Sequence, residues 1–535
     1  MQPGTVGRRS LLGAGAGIAA QAHLGFPATA AQAGQSNAGP RHLSIAEEVL
    51  PPGPPVRPAD FGIVGVFDVD WLLEPRFTRL LDNFAASPGA FRAVRFFGAL
   101  NSGEREDTFP TRSGGVWLRR EAKPDFSTTL QALAALVSRG LVPFVGLTFF
   151  PAAVSPSPIV PPSSFEAWTE LVRGFLDAVV ARFGADEVAR WWFEAWNEPN
   201  IPPFWGGSFD QYLDLYRATS DAVVQSGHAV RLGGPVLAYM PGEGPALMQR
   251  FLGVLAQDPA LRCDFVSYHR KGIWGPGEDE PRLARLAEAA EDVAQAVLRL
   301  IPERAHGLWI VNDEADMKVG FDKPFEPRLT EQFPAWLAAS LVVHEGLSAK
   351  YAVHGMRFLA AADDANQQLV QAPFDGRRSV MTRASAAVPG DLLKLPAYAF
   401  YELLPLLGER YGGALSAPDD AFFPHTDLLH LATVAEDHIG VLFTCCPDRG
   451  GGAGWRLDYA LRDVPWPRVN AAWFRIDGTH SNAYTAAGRR MPAAPASPDA
   501  VRRIRAAQEL SVAAPIRSGL ELPDRVFRDH LDLAP

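Results

Sequence analysis

Asn197 and Glu198 close the aromatic run RWWFEAWNEPN that spans 190–200, and Glu314 closes the apolar run of IVNDEAD that spans 310–316. Carboxylates at the ends of apolar segments are costly to bury unpaired, so a chain that places two of them there has a use for both. Glycoside hydrolysis is such a use. One carboxylic acid donates a proton to the leaving oxygen, while an ionised partner attacks the anomeric carbon; a retaining mechanism sets the two about 5–5.5 Å apart. Glu198 reads as the acid/base and Glu314 as the nucleophile. The charge of Glu314, with partial burial beside Trp192 and Trp196, is expected to favour the protonated form of Glu198. The Asn197 amide is expected to hydrogen-bond a sugar hydroxyl beside the reacting carbon.

These residues need a frame that brings distant segments together. Eight short β-branched or aromatic runs begin at Phe61, Phe91, Leu141, Arg190, Val230, Asp264, Gly307 and Val353. Between them lie amphipathic stretches with apolar residues three and four apart, such as FEAWTELVRGFLDAVVARFG from Phe165. Alternation of this kind predicts a (β/α)8 TIM barrel over 56–393, whose chemistry sits at the C-terminal ends of its strands. Glu198 closes the fourth run and Glu314 the seventh, almost across the barrel from each other. From 394 to 535 the runs become short, alternating and punctuated by Gly, Pro and Asp, which predicts a β-sandwich domain with a C-terminal tail.

With 535 residues, 47% of them hydrophobic, the chain can bury one large core and a smaller second one. A net charge of −10 and the absence of a basic stripe exclude nucleic acid as an expected partner. Cys263 and the adjacent Cys445 and Cys446 have neither zinc-site spacing nor disulfide density. No cluster of His and Asp at the strand ends calls for a metal, and no metal or cofactor is expected. Arg8 and Arg9 precede an Ala/Gly-rich apolar run, which predicts a twin-arginine export signal over 1–33 and a periplasmic or extracellular mature protein not embedded in a membrane.

WNEPN and NDEAD, followed by FVSYHRKG from Phe265, DDANQQLVQAPFDGR up to Arg377 and RRIRAAQELSVAAP from Arg502, resemble glycoside hydrolase family 39, and within it the α-L-iduronidase branch more than its β-xylosidase relatives. The resemblance implies a retaining exo-glycosidase with Glu198 as acid/base and Glu314 as nucleophile, acting on a glycan. It also implies that Lys271, Asp363 and Arg377 surround the sugar, with the lysine and the arginine holding a uronic acid carboxylate, a pairing that suits a planar fork of donors. Gly320 and Phe321 stand where relatives carry a glycine followed by a sugar-stacking tryptophan. Phe97, in RFFG, stands where they carry a histidine, so one sugar hydroxyl is expected to lose a partner. His269 fits either a pocket residue or a packed histidine. Asp313 and Asp316 fit either orienting partners of the nucleophile or loop hydrogen-bonders. Trp205 and Trp274, in loops after strand ends, are expected to stack on sugar. Two alternatives stay open: a β-xylosidase or arabinopyranosidase with the same mechanism, and a barrel that binds carbohydrate without turnover. Two carboxylates held close at the cost of mutual repulsion argue against the second.

Overall fold

The computed structural model describes residues 40–49, 62–66, 72–96, 98–100, 124–202, 204–275, 278–319, 324–351, 353, 355–361, 373–384, 391–408, 410–411, 428–446, 454–491 and 497–533. Each of the eight expected runs contains a strand, and the eight close into a barrel: β2 (Gly62–Val66), β3 (Ala93–Phe96), β4 (Val142–Gly146), β5 (Trp192–Glu194), β6 (Arg231–Ala238), β7 (Phe265–His269), β8 (Trp309–Asn312) and β9 (Gly355–Ala361), counted after an earlier strand, β1 (Arg41–Glu48). All neighbours are parallel, and β9 closes on β2 with Gly62 opposite Leu359. Helices such as Glu166–Phe183, Phe209–Ser226 and Leu283–Leu300 cover the outside. Ser208 and Gln211 form a capping box that starts Phe209–Ser226, satisfying amide donors that the first helical turn would leave unpaired.

Strand alternation divides the barrel's residues between two environments. Val94, Phe96, Phe193, Val266, Tyr268 and Ile310 join the apolar core shared with the helices, while Phe144, Trp192, Phe265, Trp309 and Val311 fill the barrel's interior as a separate cluster. Gly233 is where the interior is tightest, since a Cβ there would lie 2.4 Å from the Phe265 ring. Higher in the same interior, at the next inward positions, come Arg95, Glu194 and Ser267, all fully buried and polar.

Beyond the barrel, strand 455–462 pairs antiparallel with 527–533, and strands 410–411, 428–434 and 439–445 form a second sheet. Leu457, Tyr459, Leu461 and Leu531 of the first sheet pack with Leu428 and Val441 of the second, the two-layer core of a sandwich. β1 also belongs here: it pairs in parallel with 455–462 from Arg41 opposite Trp455 to Glu48 opposite Arg462. Its Glu47 carboxylate accepts from Tyr459 Oη at 3.0 Å and lies 2.8 Å from His430 Nε2. A segment from before the barrel thus completes the sandwich that follows it. Among the described residues no helix is long and apolar enough to cross a membrane.

Candidate active site

The turn after β5 brings Glu198 into the barrel mouth through unusual backbone. Trp196 has φ 89° and Glu198 φ 44°, left-handed conformations that bulky residues rarely adopt and that only dense packing sustains. Ala195 N donates to Gly233 O, Glu198 N donates to Val236 O at 2.9 Å, and Trp196 Nε1 donates to Phe204 O at 2.9 Å. The Trp196 indole is thereby turned outward among Phe149, Phe150, Trp168 and Trp205. Trp192 lies deep in the barrel against Phe144, Phe265 and Trp309. Neither tryptophan supplies the surroundings expected for Glu198; its carboxylate instead meets His269.

His269, the last residue of β7, joins the two glutamates. Its Nδ1 lies 2.7 Å from Glu198 Oε1 and 3.7 Å from Glu314 Oε1, and its Nε2 lies 3.4 Å from Asp313 Oδ1. One donor atom from each of Glu198, His269 and Glu314 falls within 4.8 Å of the others, so the two carboxylates are close enough to reach one sugar ring. Burial alone would lower the His269 pKa, but the charges of Glu314 and Asp313 and the hydrogen bonds to Asp313 and Glu198 outweigh it and push it up to about 9. His269 is fully buried, and what it packs against is the pair of glutamates.

Glu314 is surrounded by cations. Lys271 Nζ donates to its Oε2 at 2.6 Å, Arg378 Nη1 lies 3.6 Å from Oε2, and Arg95 Nη1 lies 3.5 Å from Oε1. Desolvation would raise its pKa, but His269, Lys271, Arg378 and Arg95 together hold it well below the usual carboxylate range. An ionised, positively framed carboxylate at a strand end can attack an electron-poor carbon. Glu198, His269 and Glu314 also have donor atoms close enough for a metal ion, but Lys271, Arg95 and Arg378 already balance Glu314, so its charge calls for no added cation.

Beneath the pair sits a residue the sequence reading passed over. Arg95, on β3 and fully buried, donates from Nε to Glu194 Oε2 at 2.7 Å and from Nη2 to Asn197 Oδ1 at 2.9 Å; its Nε is also 2.8 Å from Asp313 Oδ2. One guanidinium thus orients Asn197 and supports both Asp313 and Glu314. Buried Glu194, two residues from Trp192 on the same face of β5, is raised to about 8, first by desolvation and against the pull of Arg95. Asp313 is buried too, yet Arg95 and His269 keep it below its ordinary value. Its carboxylate faces Arg95 and His269, whereas Asp316 accepts from Arg328 Nε at 3.2 Å within the loop. With Asn197 Oδ1 taken by Arg95, its buried Nδ2 has no partner among the described residues and stays available as a donor.

Other expected residues fall differently. Lys271 Nζ, besides meeting Glu314, sits 4.5 Å above the half-buried Trp274 ring. Trp205 is packed into the outer core with Nε1 donating to Ser208 O, so it is not a sugar-stacking surface. Arg377 turns toward Asp375, with Nε 3.2 Å from Oδ2; it is the next residue, Arg378, that is buried and reaches Glu314. Phe374 and Gly376, just before the two arginines, have positive φ. Asp363, Gly320, Phe321 and Phe97 lie outside the described residues.

A closed parallel barrel with two carboxylates at the ends of its fourth and seventh strands is the architecture of a barrel glycosidase. The profile of Glycosyl hydrolases family 39 matches residues 116–420, more than half of the chain, and the chain belongs to that family. Human α-L-iduronidase is 26% identical over 316 residues, which cover 56% of this chain and 45% of that enzyme. A β-xylosidase of Caldicellulosiruptor saccharolyticus is 34% identical over 113 residues, 19% of this chain and 23% of that protein. These matches span less than half of the relatives' own lengths. Among solved structures, a bacterial orthologue of human α-L-iduronidase aligns with TM-score 0.73 at 19% identity, covering 92% of this chain and 82% of its own. A monomeric β-xylosidase from Caulobacter crescentus aligns with TM-score 0.67 at 19% identity, covering 92% of this chain and 97% of its own. Both structures share the fold.

Proposed function

We propose that the protein is a retaining exo-glycosidase that removes a uronic acid from a glycan. Glu314 attacks the anomeric carbon and forms a glycosyl ester, while the aglycone oxygen leaves with a proton from Glu198. In the second step Glu198 takes a proton from water, the water oxygen bonds to the anomeric carbon, and the ester breaks to return Glu314 as a carboxylate. The observation that supports this reading is the closeness of the pair, with one carboxylate oxygen from each within 4.8 Å and both near His269 Nδ1, a spacing closer to that of retaining than of inverting enzymes. Nδ1 of His269, 2.7 Å from Glu198 Oε1, holds that carboxyl in place beside the leaving oxygen. The Asn197 Nδ2 donor faces the sugar hydroxyl next to the reacting carbon.

A uronate is favoured because Lys271 and Arg378, both buried, bring two positive charges to one side of Glu314. In this reading Arg378 takes the part that the resemblance gave to Arg377. A neutral pentoside is the second reading, and one observation favours it: the Lys271 ammonium is already engaged by Glu314 at 2.6 Å. Aryl iduronide, glucuronide, xyloside and arabinoside, compared side by side, separate the two. The uronate reading expects Arg378→Ala to lose on the order of 10²-fold in kcat/KM on the uronide, and Arg377→Ala to stay within about threefold. A preference for pentosides that survives Lys271→Ala and Arg378→Ala would end it.

We further propose that the chain is exported through its Arg8–Arg9 leader. Cell fractionation of wild type and of an Arg8→Lys, Arg9→Lys variant tests this; a wild-type protein retained in the cytoplasm would refute it.

A further inference from the structure

The loop that carries Arg378 is held from outside the barrel. Its Phe374 ring lies 5.7 Å from the ring of Tyr484, and both belong to a small core with Leu329, Leu393 and Ile504. Gly376 is pinned between Phe325, whose N donates to Gly376 O at 2.8 Å, and Met491, whose Sδ would stand 2.4 Å from an added Cβ. Phe374 at φ 53° and Gly376 at φ 78° hold a backbone path that needs such external packing to persist.

The turn that supplies Tyr484 and Met491 is itself clamped to the segment that follows Glu314. Tyr484 Oη donates to Glu326 Oε1 at 2.8 Å, Asn482 Nδ2 donates to Glu331 Oε2 at 3.0 Å, and Arg489 pairs with Glu331 at 2.6 Å. Glu326 opens the 3-10 turn Glu326–Leu329, whose Arg328 grips Asp316, two residues past Glu314. Tyr484 is therefore in contact with both the loop bearing Arg378, which reaches Glu314, and the turn bearing Arg328, which holds Asp316 two residues further on.

We propose that the turn from Asn482 to Met491 is a positioning element of the active site, in which Tyr484 sets where Arg378 stands against Glu314 and so sets the preference for a substrate bearing a carboxylate. This rests on the uronate reading. Tyr484 touches no reacting atom and is a positioning residue. Displacing a binding cation by a fraction of an ångström costs affinity for the group it meets far more than for a neutral one.

The test is KM and kcat of Tyr484→Phe and Tyr484→Ala on aryl iduronide and aryl xyloside. Where the xyloside is not turned over, its inhibition constant against the iduronide takes the place of KM. The phenylalanine variant keeps the ring and loses the bond to Glu326, and KM for the uronide should rise about threefold. The alanine variant loses both contacts, and that KM should rise on the order of tenfold, with the xyloside value moving several-fold less and kcat on the uronide falling less than KM rises. Thermal melting by circular dichroism accompanies each variant. Should Tyr484→Ala not fold, Met491→Ala replaces it with the same expected split. A wild-type enzyme that does not favour the uronide would sink the uronate reading. A wild type that favours it, with Tyr484 variants that slow both substrates alike or neither, would sink the positioning role alone.

Discussion

Two layers of the barrel interior, built by the same strands, have opposite chemistry. The lower holds Phe144, Trp192, Phe265, Trp309 and Val311 in one apolar cluster, with rings in close contact such as Trp192 on Phe265 with centroids 4.9 Å apart. The upper holds Arg95, Glu194, His269, Asp313 and Glu314, all buried and all charged or polar. On β5 one step of the strand period, from Trp192 to Glu194, passes from one layer to the other. The apolar lower layer contributes stability through burial and ring packing. The upper layer is held by opposite charges whose desolvation cost is offset only while every partner is present. The proposed chemistry sits in the layer that costs stability, and the fold can carry that layer because the one beneath is apolar.

The sharpest way to break this contrast is Glu314→Ala. Turnover of an aryl glycoside should fall on the order of 10⁴-fold or more, while the protein stays folded, and azide should restore part of the rate with inverted stereochemistry. Activity near wild type would remove Glu314 from its role. In the lower layer, Phe265→Ala should do the reverse: about 3–5 kcal/mol of stability lost in urea unfolding, with kcat/KM per folded molecule kept within about tenfold. A loss of activity as great as that of Glu314→Ala would show that the layers are not separable.

A smaller effect follows from pH. His269 is raised from 6.5 to about 9, so its stabilising contribution is complete below pH 6.5 and is lost as the pH climbs through 9. Glu194, raised from 4.5 to about 8, keeps a proton in the folded state that the unfolded chain gives up, so it acts in the same direction between those values. Urea midpoints should therefore fall from pH 5 to 9. His269→Gln should flatten the upper part of that slope by on the order of 3 kcal/mol. A wild-type midpoint that rises across this window would contradict the charged state assigned to the upper layer.

Much of this was legible in the chain. All eight strands stood out as short β-branched or aromatic runs between amphipathic stretches. Glu198 and Glu314 were conspicuous because they end such runs. Arg95 and Glu194 were hidden by the same feature, since a single polar residue inside an aromatic run gives no sign of which face it takes. β1 escaped because its partner lies some 400 residues away, and pairing across that distance leaves no local signature. Arg377 and Arg378 differ by one position, and local sequence gives no sign of which one turns toward Glu314. Trp205 follows a strand end as a sugar-stacking residue would, and was taken up by packing.

The order of apolar runs, the two glutamates at the ends of the fourth and seventh, and the family motifs around them are local properties of the amino-acid chain. Which carboxylate is ringed by cations, that His269 bridges the pair, and that Arg378 and not its neighbour meets Glu314 were decided only by tertiary structure. Those outcomes depend on distances of a few ångströms between segments hundreds of residues apart, where electrostatic energy changes steeply with separation and burial.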